Sequence, residues 1–355
     1  MVHCLSPLRR FHQSSSTARL AGGLATVSAF LLTVHVYNGQ ESKKDISLNC
    51  LKVFQAGSLD VKSSGAAAVW RPNGCSMRYR SINESVECMM ELTDKNLNAP
   101  YIVFAGDSRP RQLRDGMVLA LTGQDYDRIA NPRAVVNEAV YKKHEAHVEY
   151  YRTARAHVRF EWITNLDNGT GAMTQFLQKI ITSDFKPNLL VLGVGVHRIR
   201  ECHRAKPQLS QQYCAQEYKE QFLKMLPLLQ EIANSTLILW TPQTYVNENL
   251  LGPPGDVDAG FTNENMILYN RMITEALLTL PGSSRSPLTY WHSALQASIE
   301  LNDGLDGLHL GFQTKHHLIQ MLINWMCSSL GGEREILKRY RNLMSGTLSE
   351  NYCCE

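Results

Sequence analysis

The chain has 355 residues, with 36 Lys and Arg against 33 Asp and Glu, a formal charge of +3, 44% hydrophobic and 19% charged residues. That even balance excludes the dense basic footprint of a dedicated nucleic-acid binder, and the apolar share excludes a disordered chain. No repeat of roughly 20–50 residues is visible and only one strongly apolar N-terminal run occurs, which sets aside solenoids and polytopic transporters.

The apolar run is residues 20–37 (LAGGLATVSAFLLTVHVY), free of Asp, Glu, Lys and Arg and preceded by Arg9, Arg10 and Arg19. Its length suits one membrane anchor better than the core of a cleaved signal. Asn83, Asn168 and Asn234 each open an Asn-x-Ser/Thr sequon without proline, so all three are candidate glycosylation sites. Eight of the nine cysteines follow the run, which suits an oxidising lumen. The expected layout is a cytosolic tail (1–19), a signal-anchor (20–37), a stem (38–65) and a lumenal body (66–355), a single-pass type II arrangement in a secretory-pathway membrane. Local pairing predicts disulfides Cys75–Cys88 and Cys202–Cys214. With no CxxC and no Cys/His cluster at zinc spacing, metal binding explains the cysteines less well.

In the body, residues 100–105 (PYIVFA), 158–163, 189–195 (LLVLGVG) and 237–240 (LILW) are short apolar runs bounded by Gly, Pro, Asn or Asp, and predict buried strands. Helical spacing predicts helices over 111–121, 218–232, 263–280 and 316–330. Strands alternating with helices predict an α/β fold, a parallel sheet covered on both faces. Its chemistry is expected in the loops at the carboxyl ends of the strands.

The first strand runs into Gly106-Asp107-Ser108-Arg109-Pro110-Arg111-Gln112-Leu113. A serine between a buried strand and a helix lies at the sheet's carboxyl edge, beside outward-pointing N–H groups that stabilise an oxyanion. The alternative is that Asp107 or Ser108 only caps the helix. A nucleophilic serine needs a base and the base an orienting acid. Asp306-Gly307-Leu308-His309 supplies both within one turn, before the last long helix.

Together these motifs resemble the SGNH (GDSL-like) hydrolase superfamily. GDSRPRQL resembles its PC-esterase branch, and with the late DGLHL is similar to the lumenal catalytic domain of sialate O-acetyltransferases. The resemblance implies an SGNH-like fold, Ser108 as nucleophile, His309 as base, Asp306 as orienter and Arg111 as an active-site cation. The SGNH pattern has an oxyanion-hole Asn in its third block; here that segment is Gly193-Val194-Gly195-Val196-His197. Gly195 is therefore the candidate N–H donor and His197 the candidate side-chain replacement. Arg109, Arg111 and Arg114 predict a locally basic mouth, with Arg109 and Arg111 as candidates to bind substrate or oxyanion.

The implied activity is O-acetyl transfer to glycan hydroxyls, sialic acid among them, with no bound cofactor and with acetyl-CoA or another acetyl donor as cosubstrate. An O-acetylesterase and a non-catalytic glycan-binding protein on the same fold are the alternatives. Golgi residence follows from the resemblance alone. Full-length sialate O-acetyltransferases continue into a polytopic region, so a polytopic partner supplying acetyl groups is a further expectation. Among other residues, His144 and His147 read as a solvated helix face and the Arg-rich 198–206 as a surface loop. Trp162, Trp240 and Trp291 read as core, and Asp303 is a second possible partner for His309.

Overall fold

A computed structural model describes residues 51–60, 68–96, 98–134, 144–167, 169, 171–205, 208–251, 260–279 and 288–329. After a 3-10 turn at Leu51–Phe54, β1 (Gly57–Asp60) and β2 (Val69–Pro72) form an antiparallel pair. Helix α1 (Ile82–Asn96) leads to β3 (Tyr101–Gly106), α2 (Ser108–Thr122), β4 (His147–Tyr151) and β5 (Ala156–Trp162). There follow α3 (Ala172–Thr182), β6 (Leu189–Gly193), α4 (Val196–Arg204), α5 (Gln211–Ala233) and β7 (Leu237–Trp240). The last are α6 (Asn263–Leu278), β8 (Leu288–Tyr290), α7 (His292–Leu301) and α8 (Phe312–Ser329).

The main sheet has the order β4-β5-β3-β6-β7-β8. Its strands from β5 to β8 are parallel, whereas β4 runs antiparallel to β5. The expected parallel sheet is therefore a mixed one with an antiparallel edge. Residues 147–151 of KKHEAHVEYY, a segment expected as a helix face, form that edge because their pattern has period two: Val148 and Tyr150 point to solvent while His147, Glu149 and Tyr151 are half-buried. The central strands read as unbroken apolar runs because both their faces are covered. Val103 and Ala105 of β3 pack into one core with α3, α5 and α6, while Ile102 and Phe104 pack into another with α1, α2, α7 and α8.

The body begins earlier than expected. Val53 and Phe54 are fully buried, Phe54 lies edge-on to Trp291 at 5.6 Å, and Gln296 and Glu300 of α7 hydrogen-bond the backbone of β1. Residues 51–60, assigned by sequence to the stem, thus pack as part of the body. The apolar run 20–37 and Asn168 lie outside the described residues, while Asn83 and Asn234 are exposed. Among the described residues no helix is long and apolar enough to cross a membrane.

Cys202 and Cys214 form the expected local disulfide, joining α4 to α5. Cys75–Cys88 is corrected: Cys88 of α1 bonds Cys327 of α8, 239 residues away, and Cys75 is itself in another disulfide. Cys88 sits on the buried face of α1, turned toward α8 rather than toward the preceding loop. A cross-link closing so long a loop restricts the unfolded chain strongly, worth up to ~5 kcal/mol.

Helix α8 also buries a histidine, His317. The Tyr79 hydroxyl accepts from the Trp70 N–H at 2.6 Å and is hydrogen-bonded to Nδ1 of His317, also at 2.6 Å. Burial and the neighbouring His316 push the His317 pKa down to about 4, against a smaller opposing pull from Asp303. An unfolded histidine titrates near ~6.5, so between these values the unfolded chain takes up a proton that the fold refuses. The stability held above the unfolded pKa is lost as pH falls through about 4, amounting to ~3 kcal/mol. His317→Asn, which keeps a hydrogen-bonding group near Nδ1 but cannot titrate, should lose less stability between pH ~7 and ~4.5 in urea titrations. An unchanged acid loss in that variant would exclude His317 as the source.

Candidate active site

β3 and β6 are neighbours whose last residues, Gly106 and Gly193, stand opposite each other in register. Each strand then turns out into a helix, Ser108 opening α2 and Gly195 capping α4. The chain leaves β3 toward β5 and leaves β6 toward β7, so a crevice forms between them at the switch in winding direction. Two helix N-termini, each with the positive end of its dipole, converge there.

Capping decides how Ser108 is used. Asp107 is the N-cap of α2, its carboxylate accepting from the Arg109 N–H at 3.0 Å. The Ser108 hydroxyl is therefore left for another partner, and its Oγ lies 2.7 Å from Nε2 of His309. Nδ1 of His309 lies 2.6 Å from Oδ2 of Asp306. Oδ1 of Asp306 also accepts from the N–H groups of Leu308 and His309, at 3.0 and 2.8 Å. Burial opposes the charge on Asp306, but the hydrogen bonds and charge of His309 and those N–H groups hold its carboxyl well below the usual carboxylate range. An ionised Asp306 keeps the His309 proton on Nδ1, so Nε2 presents a lone pair to the serine hydroxyl. Asp303 is not a partner of His309; it caps α8 through Gln313 and Thr314.

Ser108 and His309 face a cleft of about 420 Å³, lined also by Arg111, Trp162, His197 and Arg200. Gly195 caps the adjoining helix and has no room for a side chain, a Cβ there meeting the Gln243 amide at 2.6 Å. His197 stands in the first turn of α4, edge-on to Trp162 at 6.0 Å. Burial lowers the His197 pKa despite the opposing charge of Asp107.

The arginines divide differently from the expected basic mouth. Arg111, three residues after Ser108, shares its helix face and lines the cleft. Arg109, a candidate to bind substrate or oxyanion, instead points into the protein, donating to Gln243, Thr244 and Leu308. Arg114 is buried against Asp115 and His147. The second cleft arginine is Arg200, within the stretch expected to be a loop, which is helix α4. His144 also reaches the cleft, its ring 4.4 Å from that of Trp162. Trp240 and Trp291 are core, as expected, but Trp162 is a cleft wall. Among the described residues, no group of three or more His, Cys, Asp or Glu could hold a metal ion.

Over 263 residues, 74% of the chain, the sequence is 26% identical to N-acetylneuraminate (7)9-O-acetyltransferase of Danio rerio. The relative is a sialate O-acetyltransferase. The matched region is 29% of that protein's length. No family model matches the chain. Among solved structures, a protein named as a GDSL-like lipase from Parabacteroides merdae aligns with 64% of this chain and 97% of its own, at TM-score 0.38 and 11% identity. A peptidoglycan O-acetylesterase aligns with 73% of this chain and 97% of its own, at TM-score 0.33 and 10% identity.

Proposed function

We propose that this chain is a serine-dependent O-acyltransferase of SGNH type that moves acetyl groups onto glycan hydroxyls, sialic acid among them. The observation that carries the reading is the hydrogen-bonded line Ser108–His309–Asp306 on the wall of an open cleft. As Ser108 Oγ bonds the acetyl carbonyl carbon of acetyl-CoA or another donor, its proton passes to Nε2 of His309. The first-turn N–H groups at Ser108 and Gly195, with Arg111, stabilise the oxyanion. The donor's C–S or C–O bond then breaks and its leaving group takes the proton from His309. A sugar hydroxyl attacks the acyl-serine, giving its proton to His309, and Oγ departs with that proton. Trp162 offers a sugar ring a stacking face, and Arg111 and Arg200 offer an acidic sugar its countercharge.

The same site is an O-acetylesterase when water is the acceptor. We further propose a lumenal, Golgi-type setting on an N-terminal anchor, with a polytopic partner supplying acetyl groups. The test incubates purified chain with an acetyl donor and a panel of sialylated and neutral glycans, following acetyl gain or loss by mass. Ser108→Ala should abolish either change while keeping the fold. Activity like wild type in that variant rejects the reading. A folded chain that neither reacts with a fluorophosphonate probe nor moves acetyl groups is a binding module instead.

A further inference from the structure

We propose that Arg109 and Gln112 are positioning residues that hold His309 in line with Ser108 from both sides of the base. The proposal rests on the reading of Ser108 and His309 as nucleophile and base. His309 lies in irregular chain between α7 and α8, and the side chains it bonds are Asp306, in the same loop, and Ser108. A loop alone is a poor support for a base that must be aligned to within ~0.5 Å.

The missing support comes from α2. The carbonyl of Leu308, just before the base, accepts from Arg109 Nη2 at 3.1 Å. Leu310, just after it, is held at both backbone groups: its N–H donates to Gln112 Oε1 at 2.9 Å and its carbonyl accepts from Gln112 Nε2 at 3.0 Å. The helix that begins with the nucleophile thus grips the base's loop on each side. Both gripping side chains are buried, Arg109 to 4% exposure and Gln112 to 0%, and neither lines the cleft.

Each grip is fixed from behind. The second amide proton of Gln112 goes to Asp127 Oδ2 at 2.9 Å, and Lys315 of α8 donates to the same oxygen at 2.9 Å. Burial opposes the Asp127 charge, but Lys315 and the hydrogen bonds it receives keep its carboxyl below the usual range. A carboxylate only accepts, so the nitrogen of the Gln112 amide must face it and the oxygen must face Leu310. Arg109 Nη1 donates to Gln243 Oε1 at 3.1 Å, while Gln243 Nε2 donates to the Val194 carbonyl at 2.7 Å. Val194 precedes Gly195, so Arg109 links the nucleophile, the base loop and the second helix start in one buried network. Asn270 clamps Gln243 in turn by two bonds to its backbone.

A misplacement of the base by ~1 Å costs about 10²-fold in rate without touching substrate binding. The test uses the full chain with Gln112→Met and Arg109→Lys. It measures the rate of fluorophosphonate labelling at Ser108, kcat and KM on an acetyl ester, and the thermal transition. The expected result is ~10²-fold slower labelling and kcat, KM within about threefold, and a retained cooperative transition. Wild-type labelling rates in folded variants overturn the proposal, as does a loss confined to KM. Should Gln112→Met fail to fold, Arg109→Lys decides, since it keeps the buried charge but cannot span Gln243 and Leu308 together. A wild-type chain labelled no faster than Ser108→Ala sinks the nucleophile reading itself, whereas normal wild-type labelling with unaffected variants sinks only the positioning role.

Discussion

Replacing Asp306 by asparagine should lower kcat by about 10⁴-fold while leaving the chain folded. The asparagine oxygen can go on accepting from the N–H groups of Leu308 and His309, so the turn that carries the base survives. What changes is the atom facing Nδ1. An amide nitrogen there donates, which forces Nδ1 to accept and moves the imidazole proton to Nε2. That proton then points at Ser108 Oγ, 2.7 Å away, and the base can no longer take one from it. His309→Ala removes the proposed base outright and should cost a similar factor, ~10³–10⁴. On the proposal that the three side chains act as a unit, the double variant should be little worse than the poorer single one. Initial rates of acetyl transfer or hydrolysis, with thermal unfolding as the control for folding, check both points. An Asp306→Asn chain within tenfold of wild type would show that the carboxylate neither sets the tautomer nor matters to turnover.

What was legible in the sequence and what was not follows from how each segment is solvated. β3, β6 and β7 announce themselves because strands covered on both faces are apolar throughout, whereas β5 alternates, burying Ala156, Val158 and Phe160 on one face. β4 is covered on one face only, and its alternation hides among the lysines, histidines and glutamates of KKHEAHVEYY. Helix α1 was missed for a related reason. Its buried stripe is Ser85, Cys88, Met89 and Leu92, an i, i+3, i+4, i+7 pattern, but two of the four letters look polar. Once Cys88 is placed on that stripe, its partner must come from whatever packs on α1, and no local spacing points to Cys327.

At the site, the residues of the Ser108–His309–Asp306 line could be named because their chemistry demands those residue types in a fold that brings strand ends together. The roles of the arginines were separable by helix geometry alone. Arg111 lies three residues from Ser108 and shares its face, whereas Arg109 is turned about 100° away, into the protein. Trp162, His144 and Arg200 reach the cleft from β5, the segment before β4, and α4, and their convergence depends on strand order, which sequence spacing does not carry.

Strand order also makes Gly106 the most constrained position near the site. Its φ is +145°, a conformation that costs a side-chain-bearing residue ~1–3 kcal/mol. A Cβ there would stand 1.9 Å from the carbonyl oxygen of Gly193 and 2.8 Å from Pro110 Cγ. The first of these is backbone of the neighbouring strand and cannot swing aside, so β3 and β6 must part at the rung from which Ser108 and Gly195 turn out. Gly106→Ala should therefore destabilise by ~3–5 kcal/mol, in the range reserved for core disruption and backbone strain together. Gly74 is the internal comparison. Its φ of +77° imposes a backbone cost, but nothing lies within 4 Å of a Cβ built there, so Gly74→Ala should lose only ~1 kcal/mol. Urea titration of the two variants separates steric collision from conformational strain. Equal midpoints would mean that β3 and β6 can separate without penalty. In that case the converging helix starts are not held by the paired glycines, and Ser108 labelling in Gly106→Ala should match wild type rather than fall with the strand spacing.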